Sequence, residues 1–533
     1  MRPDLIVCAD TVHTMAGTEG ITAVALQDGL IDAVGVRGDV ADWRGPGTEV
    51  VDLGSATLMP GLTDSHVHPV MGAGLTRGVG LLGAATVDEV RAAVAAESAG
   101  LPPDAWVLGW GLNPNAVGDG GLTRELIDDV SGGRPVLLRT FDGHSALAST
   151  EALRIAGVDG PRVFDQKSEI VCDDAGRPTG LLLEMAAMAT VDQVVPEPDL
   201  ATLTALTRSA LTRMASMGIA SAHAMEHAPV ASAVYAAIEA DGDLPIRLRC
   251  SPWCVPGTDE ADWSDLVAAQ GEGGRRWTVR GIKLFIDGTI DNGTAWLAQP
   301  DTCGESTTSF WPDPQAYQRA LAWFAGRGVP TATHAIGDRG VEFVLDALES
   351  VNGSGRHRVE HIETIPDELV KRFAQLDVTA SMQPTHVTEY TEADGSDNWS
   401  RRLGPARTAQ GFRTRDLRDA GVRVALGSDW PIADCDPRGI LASAQLRRRG
   451  GSPDRAAIRP DQALTATMAL EGFTTHAAWS AGEEDVAGTI AVGKRGDLTA
   501  LALDPLLAPA DELVDADIAL TVVAGTISYR GEA

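Results

Sequence analysis

The chain of 533 residues carries 43 Lys and Arg against 74 Asp and Glu, a formal charge of −31, with 44% hydrophobic residues. Its length calls for two domains or one large α/β barrel with attachments, and its ordinary apolar and charged fractions exclude a disordered chain. The acidic excess argues against nucleic acid as a partner, because neutralising phosphates needs clustered cations.

The first fifteen residues hold no apolar stretch of signal-peptide length, and no window reaches the ~18 uninterrupted apolar residues of a membrane helix. A cytoplasmic protein with no membrane partner is expected. Residues 4–56 alternate short β-type runs with turns such as Asp28-Gly29, and the tail repeats this texture around Ala524-Gly525. Residues 1–57 and 486–533 are therefore expected to build one composite β-sandwich domain from both termini.

Residues 58–485 read differently. Apolar runs of strand length occur at 58–62, 136–140, 219–222, 280–286, 330–334, 359–362, 379–382 and 422–427, each followed by a helical stretch or a long loop. Eight βα units predict an α/β fold of the (β/α)8 TIM barrel type. Two segments, about 70–135 and 145–200, are too long for crossovers and are expected as insertions over the substrate pocket. The second holds a predicted hairpin, 169–172 turning at Ala175-Gly176 into 179–183. The six cysteines are scattered, and only Cys250 and Cys254 lie close, with no second pair to complete a zinc site; they read as thiols of a reducing compartment.

Polar residues close these runs: Asp64, His66 and His68, then Asp142 and His144, His223, Lys283, His334, His361, Gln383, Ser428 and Asp429. In a barrel such positions converge on the C-terminal face, where active sites are built. A single one is an ordinary loop cap, but eight in succession, rich in His, are not. His66 and His68 flank Val67 at period two, so on a strand both rings face one way and can share a divalent ion. Lys283, His334, His361 and Asp429 follow on later strands. Trp110, Trp296, Met382 and Trp430 lie in or beside mouth loops and either line an apolar substrate pocket or simply pack in the core. Asp338 is expected to orient a ligand or fix a loop, Glu360 to face the outer layer of its strand, and His223 to stand behind the ligands. His13, His357 and His476 read as background, with His357 in a surface turn, while His227 and His386 lie nearer the mouth.

Seven stretches fall in an order and spacing that resemble the metal-dependent amidohydrolase superfamily, in its amidohydrolase family 3 or YtcJ-like branch. They are Pro60-Gly-Leu-Thr-Asp-Ser-His66-Val-His68, Phe141-Asp-Gly-His144, Lys283-Leu-Phe-Ile-Asp-Gly288, His334-Ala-Ile-Gly-Asp-Arg339, Arg358-Val-Glu-His361, Ala380-Ser-Met-Gln-Pro-Thr385 and Leu426-Gly-Ser-Asp429. The resemblance implies a divalent metal centre, commonly zinc. His66, His68 and Asp429 would bind one ion and His334 and His361 a second, with an N-carboxylated Lys283 bridging them; one ion is the alternative. Burial beside cations favours the neutral amine that carbon dioxide must attack. Unmodified, the same lysine would be a salt-bridge partner or a substrate contact.

The implied reaction is hydrolysis of a small-molecule C–N bond, in an N-substituted formamide or N-acyl amine, by metal-activated hydroxide. Asp429 would move the proton. His144 would bind the substrate carbonyl or oxyanion, or else stand behind as a structural histidine. The same site acting on a carbamate, lactam, ester or lactone, or as a metal-dependent decarboxylase, is the alternative. The resemblance also suggests a homodimer.

Overall fold

Aliphatic runs buried on both faces become the strands of two parallel sheets, and the amphipathic stretches between them become covering helices. The structure, a computed structural model, describes residues 3–117, 121–351 and 355–531. The first sheet holds β1 (Leu62–Val67), β2 (Ile219–Ala224), β3 (Arg247–Cys250) and β4 (Trp277–Val279), paired in that order. The second runs β5 (Ile282–Phe285), β6 (Thr331–Ala335), β7 (Arg358–His361), β8 (Thr379–Met382) and β9 (Val424–Leu426), each parallel to its neighbour. Isolated parallel bridges join the two sheets at Trp253–Lys283 and Val67–Trp430.

The helices show why these strands are apolar throughout. Asp338–Ser350 buries Val341, Val344, Leu345 and Leu348, the helical spacing of one face. Pro314–Ala325, capped by Asp313, buries Tyr317, Leu321 and Phe324 in the same way. These side chains join Ile282, Leu284, Val359, Ala380 and Leu426 in one core cluster.

Two strand assignments made from sequence change, and one strand, β3, was not assigned. The run 58–62 breaks at Gly61, where a Cβ would meet Ala220 Cβ at 2.6 Å. Thr57–Pro60 then pairs antiparallel with Leu498–Leu501, and only Leu62–Val67 enters the parallel sheet. Val136–Thr140 is a strand, but it lies between Val107–Leu112 and Ser145–Ala148 in a mixed six-stranded sheet built from the two long segments. Its place beside β1 is taken by β2. β3 went unpredicted because Arg247 and Arg249 interrupt its apolar pattern; both are largely shielded, and Arg249 is 7% exposed. The hairpin of 169–172 with 178–183 forms as expected.

Both ends of the chain share a sheet. Thr11–Val12 and Thr57–Pro60 stand beside Leu498–Leu501, Ile518–Val523 and Thr526–Arg530. A second, N-terminal sheet of Leu30–Gly35, Ala23–Gln27, Leu5–Cys8 and Glu49–Asp52 packs on it through Val7, Leu26, Leu58, Leu498 and Val522. The outermost residues of the expected terminal domain, 1–2 and 532–533, lie outside the described residues.

The loop after β9 is pressed against β1: Asp429 N donates to His66 O at 2.7 Å, and Ser428 N to Asp64 Oδ1 at 3.0 Å. A Cβ on Gly427 would stand 2.7 Å from His66 N and 2.9 Å from Asp64 Oδ1. Gly427→Ala is therefore expected to destabilise the protein by about 1–3 kcal/mol, read by urea unfolding. Gly439→Ala, in helix Pro437–Leu446 with nothing within 4 Å of the new Cβ, should be neutral or stabilising.

Candidate metal centre

β1 ends in His66-Val67-His68, and the chain then turns into the helix Pro69–Leu75. His66 is fully buried, and its Nδ1 lies 2.7 Å from Glu360 Oε2. That contact leaves Nε2 facing inward, 3.3 Å from Lys283 Nζ and 3.4 Å from Asp429 Oδ1. His68 Nε2 lies 3.1 Å from the same Asp429 oxygen, and its Nδ1 is buried without a hydrogen-bond partner. Glu226 holds the helix after His68 by accepting from Val70 N at 2.7 Å and Met71 N at 2.9 Å.

Asp429 leaves β9 with φ of 61°, which turns its second oxygen toward His361 Nδ1 at 3.8 Å and His386 Nε2 at 3.7 Å. Donor atoms of His66, His361 and Asp429 lie within 4.8 Å of one another. His334, on β6, meets His361 edge-on with ring centroids 4.5 Å apart. The ends of β1, β5, β6, β7 and β9 thus bring His66, His68, Lys283, His334, His361 and Asp429 together.

Burial pushes His66 down to about 4, helped by the neighbouring Lys283, and drives His334 and His361 well below the ordinary imidazole value. The rings are therefore neutral, the state in which imidazole can ligate. Burial likewise pushes Lys283 down to about 8. The lysine is 1% exposed, and no carboxylate among the described residues lies within ion-pair reach of it. Burial alone would raise the Asp429 carboxyl, but the imidazoles of His66, His68 and His386 hold it well below the usual range.

The expectation that Glu360 faces outward is overturned. Its carboxylate takes His66 Nδ1 at 2.7 Å and Arg358 Nε at 2.5 Å, and it is fully buried. Period two on β7 aims Arg358 and Glu360 together into the interior, where Arg358 also reaches His223 Nδ1 at 2.9 Å, Ser65 O and Ser381 Oγ. His361 then ends the strand with φ of 74°, so it departs from the alternation and turns its ring toward the same centre. Its Nδ1 is met by Gln383 Oε1 at 2.9 Å.

His144 comes from the six-stranded sheet. Its Nδ1 lies 2.8 Å from Glu184 Oε2, and Glu184 N donates to His144 O at 2.7 Å. Burial alone would push His144 down, but the Glu184 carboxylate outweighs it and raises the imidazole to about 9. Nothing in the sequence around Glu184 signals this partner, because it sits just past a hairpin far from any motif.

His144, His334, His361, His386 and Asp429 line a cavity of about 40 Å³ together with Phe141, Tyr390, Trp399 and Phe412. None of the four side chains considered for the pocket lines it. Ser381 points inward, so Met382 points into the core. Trp430 packs on Gly72 and Val67. Trp110 Nε1 donates to Pro431 O, and Trp296 packs on Phe343. His386 stands nearer the cluster than expected, its ring stacked 6.0 Å from His361 and its Nε2 3.7 Å from Asp429 Oδ2, without a hydrogen-bond partner among the described residues. Asp338 fixes a loop by accepting from Ala298 N. His227 lies against Ser232 and Trp277. His357 is buried on Thr331 rather than exposed in a surface turn.

The amidohydrolase family model matches residues 49–529. Protein LONG AFTER FAR-RED 3 of Arabidopsis thaliana is 30% identical, covering 99% of this chain and 91% of its own. The putative amidohydrolase YtcJ of Bacillus subtilis (strain 168) is 29% identical, covering 95% and 96%. The N-substituted formamide deformylase of Arthrobacter pascens is 26% identical, covering 99% of both. Among solved structures, an uncharacterised metal-dependent hydrolase from Pyrococcus horikoshii OT3 superposes with a TM-score of 0.73 at 22% identity, covering 95% of this chain and 99% of its own. An atrazine chlorohydrolase from Arthrobacter aurescens TC1, complexed with zinc, gives 0.54 at 16%, covering 98% and 94%.

In an NMR titration His144 should lose its proton near pH 9, and in Glu184→Gln below the ordinary 6.5. Because the folded value is raised, the stability it contributes is complete below pH 6.5 and lost as pH climbs through 9. The stability difference between wild type and Glu184→Gln, read by urea unfolding, should shrink over that interval.

Proposed function

The chain belongs to the amidohydrolase family and is a hydrolase, and from that premise we propose that it cleaves the C–N bond of a small-molecule amide. An N-substituted formamide or N-acyl amine is the substrate class, a reading supported by the deformylase relative. The observation that carries the proposal is the convergence of His66, His361 and Asp429 beside a small cavity that His361 and Asp429 line, with Lys283, His68 and His334 around them.

We read the two parallel sheets as one (β/α)8 barrel spanning residues 58–485, with β4 and β5 sharing a single position; the bridges at Trp253–Lys283 and Val67–Trp430 support this. The two terminal sheets form its composite β-sandwich, from residues 1–57 and 486–533. Six free cysteines suit a reducing compartment such as the cytoplasm.

The donor set fits a divalent ion. The rings of His66, His334 and His361 are neutral and Asp429 is ionised, and Glu360 on His66 Nδ1 and Gln383 on His361 Nδ1 hold two of the rings in place. His66, His68 and Asp429 would hold one ion and His334 and His361 a second, with a carbamate on the unpaired Lys283 between them. Zinc is the expected metal. When bound, such ions lower the pKa of water towards ~7 and polarise a carbonyl oxygen.

The chain's own groups do the rest. His144, kept protonated by Glu184 through Nδ1, presents Nε2 as a charged donor to the carbonyl oxygen as negative charge develops there. Asp429 takes the proton released by the attacking water and returns it to the leaving nitrogen. Phe141, Tyr390, Trp399 and Phe412 exclude bulk water. Amide and water become acid and amine.

Metal analysis of the purified protein should find bound zinc or a related divalent ion. Amides screened with mass detection should yield acid and amine, with kcat falling about 10²–10⁴-fold in Asp429→Asn. Lys283→Ala should keep its circular dichroism spectrum and lose metal. Full metal content and activity in Lys283→Ala would refute the bridge, and carboxylate loss without hydrolysis would replace the hydrolase by a lyase.

A further inference from the structure

Beside the metal cavity lies a second pocket of about 630 Å³, a volume typical of small-molecule sites. Thr391, Trp399 and Phe412 line both spaces, so one wall separates them. Val387, Trp399, Phe412 and Ile458 make the second pocket mostly apolar.

One group in it is out of keeping. Arg447, at the C-terminus of the helix Pro437–Leu446, lines this pocket and is only 1% exposed. Its Nε donates to Ile458 O at 3.1 Å, and its Nη2 is buried with no hydrogen-bond partner among the described residues. Asp461, the carboxylate that acts on it, is already paired with Arg459 at 2.6 Å. Two acidic residues on the rim are engaged as well, Glu392 with Arg455 at 2.7 Å and Asp394 with Ser396 N at 3.0 Å. Arg358, equally buried, has Glu360 within 2.5 Å. A guanidinium taken out of water without an anion is strongly disfavoured unless a ligand completes it.

We propose that this pocket binds the carboxylate of an otherwise apolar small molecule, with the anion on Arg447 and the apolar body against Trp399 and Phe412. The wall ties it to the reaction: Trp399 Nε1 donates to Glu363 Oε2 at 2.7 Å, and Glu363 lines the metal cavity. The carboxylate is either the far end of the substrate or a separate ligand.

Benzoate and its neutral isostere benzamide, titrated calorimetrically into the full-length metal-loaded protein, test the proposal. Benzoate should bind about tenfold or more tightly than benzamide, the value of one charge-assisted hydrogen bond, and Arg447→Gln should erase the difference. Ala409→Trp, at an exposed position lining the same pocket, should block both ligands without touching the arginine, so the test survives if Arg447→Gln does not fold. Benzoate that binds equally well to both variants is on the metal instead, and overturns the proposal, as does no binding or no preference in the wild type.

A second arm rests on the hydrolase reading and locates the source. If Arg447→Gln raises KM for ω-carboxylated amides alone, the anion is the substrate's own end. If KM for these amides is unchanged while benzoate binding is lost, it is a separate ligand. Absence of any amide turnover defeats the function and leaves the benzoate result standing.

Discussion

The buried ion pair of Arg358 and Glu360 is the constraint on which the interior depends. Neither group can reach water, so each charge is tolerable only because the other is at hydrogen-bond distance. Once paired, the two act as a frame. Glu360 fixes the tautomer and direction of His66, while Arg358 ties Ser65 on β1, Ser381 on β8 and His223 on β2 to β7. Four strands from the two parallel sheets are thereby registered on one another by charge and by directed hydrogen bonds rather than by apolar contact alone. An imidazole held in this way is pre-oriented in the buried interior and needs no reorganisation to meet a partner.

A division between ligation and donation follows. At the ends of the parallel strands stand the neutral rings of His66, His334 and His361 and the ionised Asp429. His144, an imidazole held protonated, stands apart on the six-stranded sheet, with its own carboxylate. Separate environments keep the two protonation states from collapsing into one, although the rings of His144 and His334 are only 5.1 Å apart.

Much of this was legible in the sequence. The order of His66, His68, Lys283, His334, His361 and Asp429 at strand ends pointed to their convergence, because residue chemistry and strand periodicity are both local. What periodicity could not reveal were residues whose roles come from partners remote in sequence. Glu360 looked outward because alternation was assumed to continue through His361, and a left-handed φ ends it there. Glu184 carries no motif. Of the apolar side chains beside the motifs, Met382 and Trp430 take the core alternative, while Phe141, Tyr390, Trp399 and Phe412 line the cavity. At the level of strands, Val136–Thr140 has the composition of a parallel-sheet strand, yet its hydrogen bonds go to Ser145–Ala148 and Val107–Leu112. Composition reports burial, not partners.

The placement of His144 on the inserted sheet has a mechanical consequence. The turn that carries it, Asp142-Gly143-His144, follows directly on Phe141, and Phe141, Asp142 and His144 line the same cavity. The imidazole kept protonated by Glu184 and an aromatic wall of the cavity are thus fixed to one short turn, so a substitution that shifts this turn moves both at once.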